Sequence, residues 1–184
     1  MIQEVKKAVK IINNGGIILY PTDTVWGIGC DANNPDAIKR VFKIKKRNSK
    51  KGLICLMKDL RMLENHVLSL PKNIESVIKK KDPITIIYEN PINISKILIA
   101  DDNTLAIRIP KNKFCNLLIT DFGKPIVSTS ANISESKTPS IYSEIEKSIL
   151  EGVDHIVNLH KEKKCGIPSK IFKIQNNGNL LKIR

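Results

Sequence analysis

Three short polar runs carry the candidate chemistry of this 184-residue chain: Thr22-Asp23-Thr24, the basic stretch from Lys43 to Lys51, and Ser128-Thr129-Ser130-Ala131-Asn132. Two hydroxyls and a carboxylate at the end of a buried strand can hold a small polar ligand, because the scaffold fixes their position. An ordinary hairpin with a polar turn accounts for the same residues. Six basic residues fall between Lys43 and Lys51, at a helix end, where they can complement the helix dipole or clamp phosphates. If the three runs converge, they form a basic pocket with phosphate ligands in Lys45, Arg47 and Lys51 and neutral hydrogen-bonding groups in Thr24, Ser130 and Asn132. Arg108, inside an apolar alternation, is either a solvent-face residue or a guanidinium aimed at a carboxylate or phosphate. His66, His155 and His160 lie outside all three runs, so no nucleophile with a paired base is evident. Catalysis in such a pocket would rest on positioning and charge stabilisation, as in nucleotidyl and phosphoryl transfer. Neither GxxxxGK[ST] nor GxGxxG occurs, so a nucleotide would be held without a P-loop or Rossmann turn.

The elements that must position these groups follow from periodicity and turn residues. Val5, Val9 and Ile12 predict an amphipathic helix over residues 2–14. The Gly15-Gly16 turn leads into a buried strand, ILY, which Pro21 ends because it has no N–H to donate. A second strand, Trp26 to Cys30, carries Gly27 and Gly29, spaced so that another backbone or a ligand can come close. Asn34 and Pro35 are a good cap and first residue for a helix whose apolar face is Ala37, Ile38, Val41, Phe42 and Ile44. Strands are expected at 53–57, 84–88, 104–109, 124–132, 153–157, 169–175 and 180–183. Helices are expected over 58–81 with a break at Pro71, over 111–121 and over 140–151. Strands and helices intermix without strict alternation, which predicts an α+β, three-layer arrangement: a mixed twisted sheet flanked by helices. The length suits one domain, 1–184.

Composition narrows the class. With 31 basic and 18 acidic residues the formal charge is +13, which points to polyanionic partners or to a general Lys-, Asn- and Ile-rich bias. No segment approaches the ~18 to 20 apolar residues that span a bilayer, and the first ten residues lack a signal peptide's apolar core, so no membrane partner and a cytoplasmic location are expected. Cys30, Cys55, Cys115 and Cys165 are scattered, mostly in apolar segments, as reduced core thiols would be. Without CxxC or His-x-x-His spacing, no protein-bound structural metal is expected.

The runs YPTDTVWGIGC, FKIKKRNSKKGL, LAIRIP and GKPIVSTSANIS, in that order, resemble the YrdC/TsaC family of threonylcarbamoyl-AMP synthases in its short, single-domain form. The resemblance implies a YrdC-like sheet with a concave basic cleft. It implies the conversion of L-threonine, bicarbonate and ATP, with Mg2+, to threonylcarbamoyl-adenylate and pyrophosphate, for threonylcarbamoyladenosine at tRNA position 37. A threonylcarbamoyl-transferase complex would act downstream. By position, Thr24, Arg108, Ser130 and Ser169 match threonine contacts. Lys45, Arg47, Lys51, Thr104, Asn132, Ser140 and Arg184 match ATP contacts, with Lys45, Arg47, Ser130 and Asn132 as the groups carrying catalysis. Departures from the family pattern are Asn48, Lys81-Asp82 and Lys170, and Arg184 lies one position out of the expected spacing. A second reading of the charge is a non-catalytic double-stranded RNA or tRNA-binding module that touches RNA directly. With 4% aromatic residues, backbone charge rather than base stacking would dominate such binding.

Overall fold

A computed structural model describes residues 1–49, 52–175 and 178–184. Helix α1 (Ile2–Asn13) buries Val5, Ala8 and Ile12, the stripe the spacing predicts. The hairpin that follows pairs β1 (Ile18–Pro21) antiparallel with β2 (Trp26–Gly29), and Pro21 is the last residue of its strand. At Gly29 a Cβ would lie 2.4 Å from the Val127 carbonyl, so only glycine admits the neighbouring strand there. Helix α2 (Pro35–Ile44) starts where the sequence indicates: the Asn34 side chain accepts from the Asp36 and Ala37 amides.

The middle of the chain is more broken than its periodicity suggests. The expected helical region 58–81 supplies only two single-turn pieces, α3 (Leu60–Glu64) and α4 (Ile74–Ile78), separated by the Pro71 segment. Strands β3 (Ile54–Leu56), β4 (Ile84–Glu89) and β5 (Thr104–Arg108) lie within or near their expected ranges. Helix α5 (Lys113–Phe122) is capped by the Asn112 side chain and stopped by Gly123 in a left-handed conformation, φ 77°. Strand β6 (Ile126–Ser130) is the core of the expected 124–132 strand. The helix expected over 140–151 is instead a 3-10 turn, Tyr142–Glu144, and then α6 (Lys147–Gly152). Ile145 interrupts it: extended and buried, it drives its side chain into the core, which outweighs helix continuity. The last strands are β7 (His155–Ile156), β8 (Lys170–Ile174) and β9 (Leu180–Lys182).

The described strands form one nine-stranded mixed sheet, ordered β7-β1-β2-β6-β3-β5-β4-β8-β9. Its two faces have different fates. Ile17, Leu19, Trp26 and Ile28 point into a core shared with residues of α2, α3, α4 and α6, among them Val41, Leu63, Val77 and Ile149. Ile18, Tyr20, Leu56 and Ile126 point the other way, into a core shared with α1 and α5 through Ala8, Phe114 and Leu118. This gives the three layers the sequence implies. On the second face the register continues from Ile54 to Ala106 and on to Ile87. These side chains, with Ile171 of β8, line an open cleft beside the α1/α5 core.

Candidate functional site

The cleft has a volume of about 350 Å3. Its floor is the sheet itself, with Ile54, Ala106, Ile87 and Ile171 as apolar tiles. Its polar walls include Thr22, Thr24, Ser128, Ser130, Thr104, Thr138 and Ser169, and its cations are Arg47, Arg108 and Arg184. No carboxylate is among the lining residues described, so the charge of the cavity is positive.

Arg108 is the centre of one wall. It follows Thr104 and Ala106 on the same strand face, and it is only 6% exposed. Its guanidinium crosses to the turn after β1, where Nη1 donates to Thr24 Oγ1 at 2.9 Å and Nη2 is ion-paired with the Asp23 carboxylate. The turn is itself knitted: Thr22 Oγ1 donates to the Val25 carbonyl at 2.7 Å and accepts from the Thr24 amide at 3.0 Å. Asp23 Oδ2 accepts from the Lys111 amide at 3.2 Å. The solvent-face alternative for Arg108 is therefore replaced by a buried, oriented cation. Breaking a buried pair of this kind by removing one partner costs about 3 to 5 kcal/mol, because the other charge stays behind.

The second wall runs from β6 to β8. Ser130 lines the cleft at the end of β6, while Ser169, 4% exposed, shares a 2.8 Å hydrogen bond with Thr85 across strands. Arg184 reaches this wall through Nη2, which donates to the Ser169 carbonyl at 3.2 Å, and its backbone pairs with Ile171. Its unexpected spacing thus does not keep it from the cleft. Arg47 enters from the end of α2, with Nη2 donating to the Gly52 carbonyl at 2.8 Å. Thr104, 6% exposed, donates to Asp102 at 2.6 Å.

Of the remaining expected site residues, Ser140, Asn132 and Lys45 stand apart from this lining. Lys51 lies outside the described residues. Ser140 faces away from the lining set: its amide and hydroxyl both donate to Glu144, which holds that carboxyl below its usual range, and Thr138 takes a place on the cleft wall instead. Asn132 is buried, and its Nδ2 donates to the Ile133 and Ser136 carbonyls at 2.8 Å each. Lys45 is 1% exposed, with Nζ donating to the Ser130 and Asn132 carbonyls at 2.6 Å each. Burial, with Arg47 nearby, pushes its ammonium down to about 8. Asp23, expected only as one of three polar groups that could hold a small ligand, is instead the partner of Arg108. Its pairing with an arginine 85 positions away has no local signal. The apolar floor was within reach of the sequence, since Thr104, Ala106 and Arg108 alternate along one strand.

A mixed sheet with helices on both faces and a cationic, hydroxyl-lined cleft on one of them defines an α+β protein built to hold a polar anionic ligand. The model of the Sua5/YciO/YrdC family, described as telomere recombination, matches residues 10–184, and the chain belongs to this family. Among curated relatives, the threonylcarbamoyl-AMP synthase of Psychromonas ingrahamii is 33% identical over 148 residues, covering 78% of each chain. That of Hahella chejuensis is 31% identical over 153 residues, 82% of this chain and 83% of the relative. Among solved structures, E. coli YciO aligns with a TM-score of 0.86 at 23% identity, covering this whole chain and 89% of its own. P. abyssi Sua5 complexed with L-threonine aligns with a TM-score of 0.88 at 23% identity over 98% of this chain, which spans 53% of that protein. These structural likenesses speak to the fold.

Proposed function

We propose that the chain is a threonylcarbamoyl-AMP synthase of one domain, residues 1–184, that joins L-threonine, bicarbonate and ATP into threonylcarbamoyl-adenylate with release of pyrophosphate. The observation that carries this reading is the cleft, where a buried, oriented guanidinium shares the lining with hydroxyls and two further arginines. The curated relatives at 31–33% identity bear the same name.

In this mechanism the amino-acid carboxylate meets Arg108, and the hydroxyls of Thr24, Ser130 and Ser169 orient the rest of the molecule. Arg fits a planar carboxylate in two parallel hydrogen bonds, which a point charge does not reproduce. Asp23 and Thr24 hold the guanidinium before the ligand arrives, so little ordering remains to be done on binding. Arg47 and Arg184 stand where they can offset triphosphate charge, and Thr104 adds a hydroxyl; Lys51 belongs to the same basic run. The amine of threonine attacks the carbon of bicarbonate, and a C–O bond breaks with loss of water to leave a carbamate; the carbamate oxygen then attacks the α-phosphorus as pyrophosphate leaves, and held cations stabilise the charge that develops there. Among the described residues no group of three or more His, Cys, Asp or Glu gathers as a metal would require. In this proposal Mg2+ belongs to the MgATP substrate, carried by the phosphates.

The product is a reactive adenylate, and its use in tRNA modification by a downstream threonylcarbamoyl-transferase complex in the cytoplasm is part of the proposal. Among the described residues no helix is long and apolar enough to cross a membrane. The test is pyrophosphate release from ATP by the purified chain. Release that depends on both threonine and bicarbonate is expected. Binding of double-stranded RNA or tRNA without any such turnover would replace the enzyme with the RNA-binding reading, which the +13 charge supports.

A further inference from the structure

Lys45 sits in the basic run that the sequence assigns to phosphates, yet its ammonium is turned inward. Its side chain leaves the end of α2 and stops on the chain that follows β6, where Nζ donates to the Ser130 and Asn132 carbonyls, 2.6 Å each. In the reverse direction the Lys45 carbonyl accepts from the Ser134 amide at 2.9 Å. Three hydrogen bonds thus join one residue to the segment 130–134. The ammonium is 1% exposed and Lys45 does not line the cleft, whereas Ser130, in the same segment, does. Asn132 completes the tie, because its Nδ2 bonds to the Ile133 and Ser136 carbonyls and stiffens the same turn. To reach a phosphate, Lys45 would have to abandon two short charge-assisted bonds, taking the ammonium from the buried Asn132 carbonyl and leaving the Ser130 carbonyl with the Asn132 amide.

We infer that Lys45 is a positioning residue, which holds the segment 130–134 so that Ser130 presents its hydroxyl to the cleft, and that it contacts neither phosphate nor amino acid. The inference rests on the reading of the cleft as a threonine and ATP site. It separates two neighbours two positions apart: Arg47 acts on the ligand and Lys45 acts on the wall. Removing the tie loosens Ser130, so the loss falls on threonine even when no nucleotide is present.

The test is titration calorimetry on the full chain with L-threonine alone and with inorganic pyrophosphate alone. In Lys45→Met, which keeps the stem and removes the ammonium, threonine affinity should fall about tenfold, the size of one lost hydrogen bond to a charged group. Arg47→Met should weaken pyrophosphate and leave threonine within about twofold. Unchanged threonine affinity in Lys45→Met, with or without a loss for pyrophosphate, overturns the positioning role. Wild-type protein that binds neither probe overturns the reading of the cleft, and this inference with it. If Lys45→Met does not fold, wild-type protein carrying 13Cε-labelled lysine decides. The Lys45 signal should stay in place when pyrophosphate is added, and a saturable shift assigned to Lys45 would make it a phosphate ligand.

Discussion

Arg108 and Lys45 are both cations taken out of water beside the same cleft, and they are held in opposite ways. Arg108 has a carboxylate, Asp23, and a hydroxyl, Thr24, as partners. Among the described residues Lys45 has the carbonyls of Ser130 and Asn132 as partners. A carboxylate returns much of the lost hydration energy of a guanidinium. Carbonyl dipoles return less, and the Lys45 ammonium accordingly falls to about 8. The difference teaches which cation is kept ready for an anionic ligand and which is used up in holding the wall.

The comparison can be broken most severely at Arg108. Arg108→Ala removes a ligand group that offers two charge-assisted bonds of about 1.5 to 3 kcal/mol each, so threonine KM should rise at least about 100-fold while ATP KM changes little, and the stranded Asp23 should separately cost about 3 to 5 kcal/mol of stability. Equal losses for the two substrates in paired KM measurements would put Arg108 on the phosphates or in the framework. Arg47→Ala should do the converse, weakening ATP by roughly 10- to 150-fold with threonine spared, as expected for one charge-assisted contact of about 1.5 to 3 kcal/mol; wild-type ATP kinetics in the folded variant would remove Arg47 from the site.

A gentler change sharpens the contrast. Asp23→Asn keeps a hydrogen-bond acceptor beside Arg108 but discharges it, and threonine affinity should drop by about 3- to 10-fold through a less firmly held guanidinium. An unaltered threonine KM would mean that Asp23 serves the turn alone. The smallest effect concerns Lys45 and pH. Its folded-state pKa, about 8, lies below the ~10.4 of an unfolded lysine. Between those values the unfolded chain holds the extra proton, so the stability owed to this residue is lowest below about pH 8 and increases as pH rises toward ~10.4. Urea melts of wild type and Lys45→Met at about pH 7.5 and pH 9.5 should therefore show the wild type gaining on the variant at the higher pH. A constant difference would mean that Lys45 titrates normally.

Much of this molecule is written locally. The cap at Asn34, the strand end at Pro21 and the alternation in β5 each involve neighbours a few positions apart, and the described structure agrees with them. The broken helix at Ile145 was not legible, because burial of one side chain in a distant core decided it. The site divides along the same line. That Thr24, Arg47, Thr104, Arg108, Ser130, Ser169 and Arg184 would meet was expected from a family resemblance, and all seven line one cleft. The inward turn of Lys45 and the bonding of Ser140 to Glu144 were not expected, since residue type tells what a side chain can bond to and not which way it points.

The sequence by itself determined most of the elements, though not the breaks within 58–81 and 140–151, together with the polar ends of the strands and the positive charge, because each depends on composition or on short-range periodicity. Only the tertiary structure decided the partners of the buried cations. Asp23 and Arg108 lie 85 positions apart, as do Lys45 and the Ser130 carbonyl. Desolvation forces every buried charge to find a partner, and the folded sheet fixes which partners are within reach.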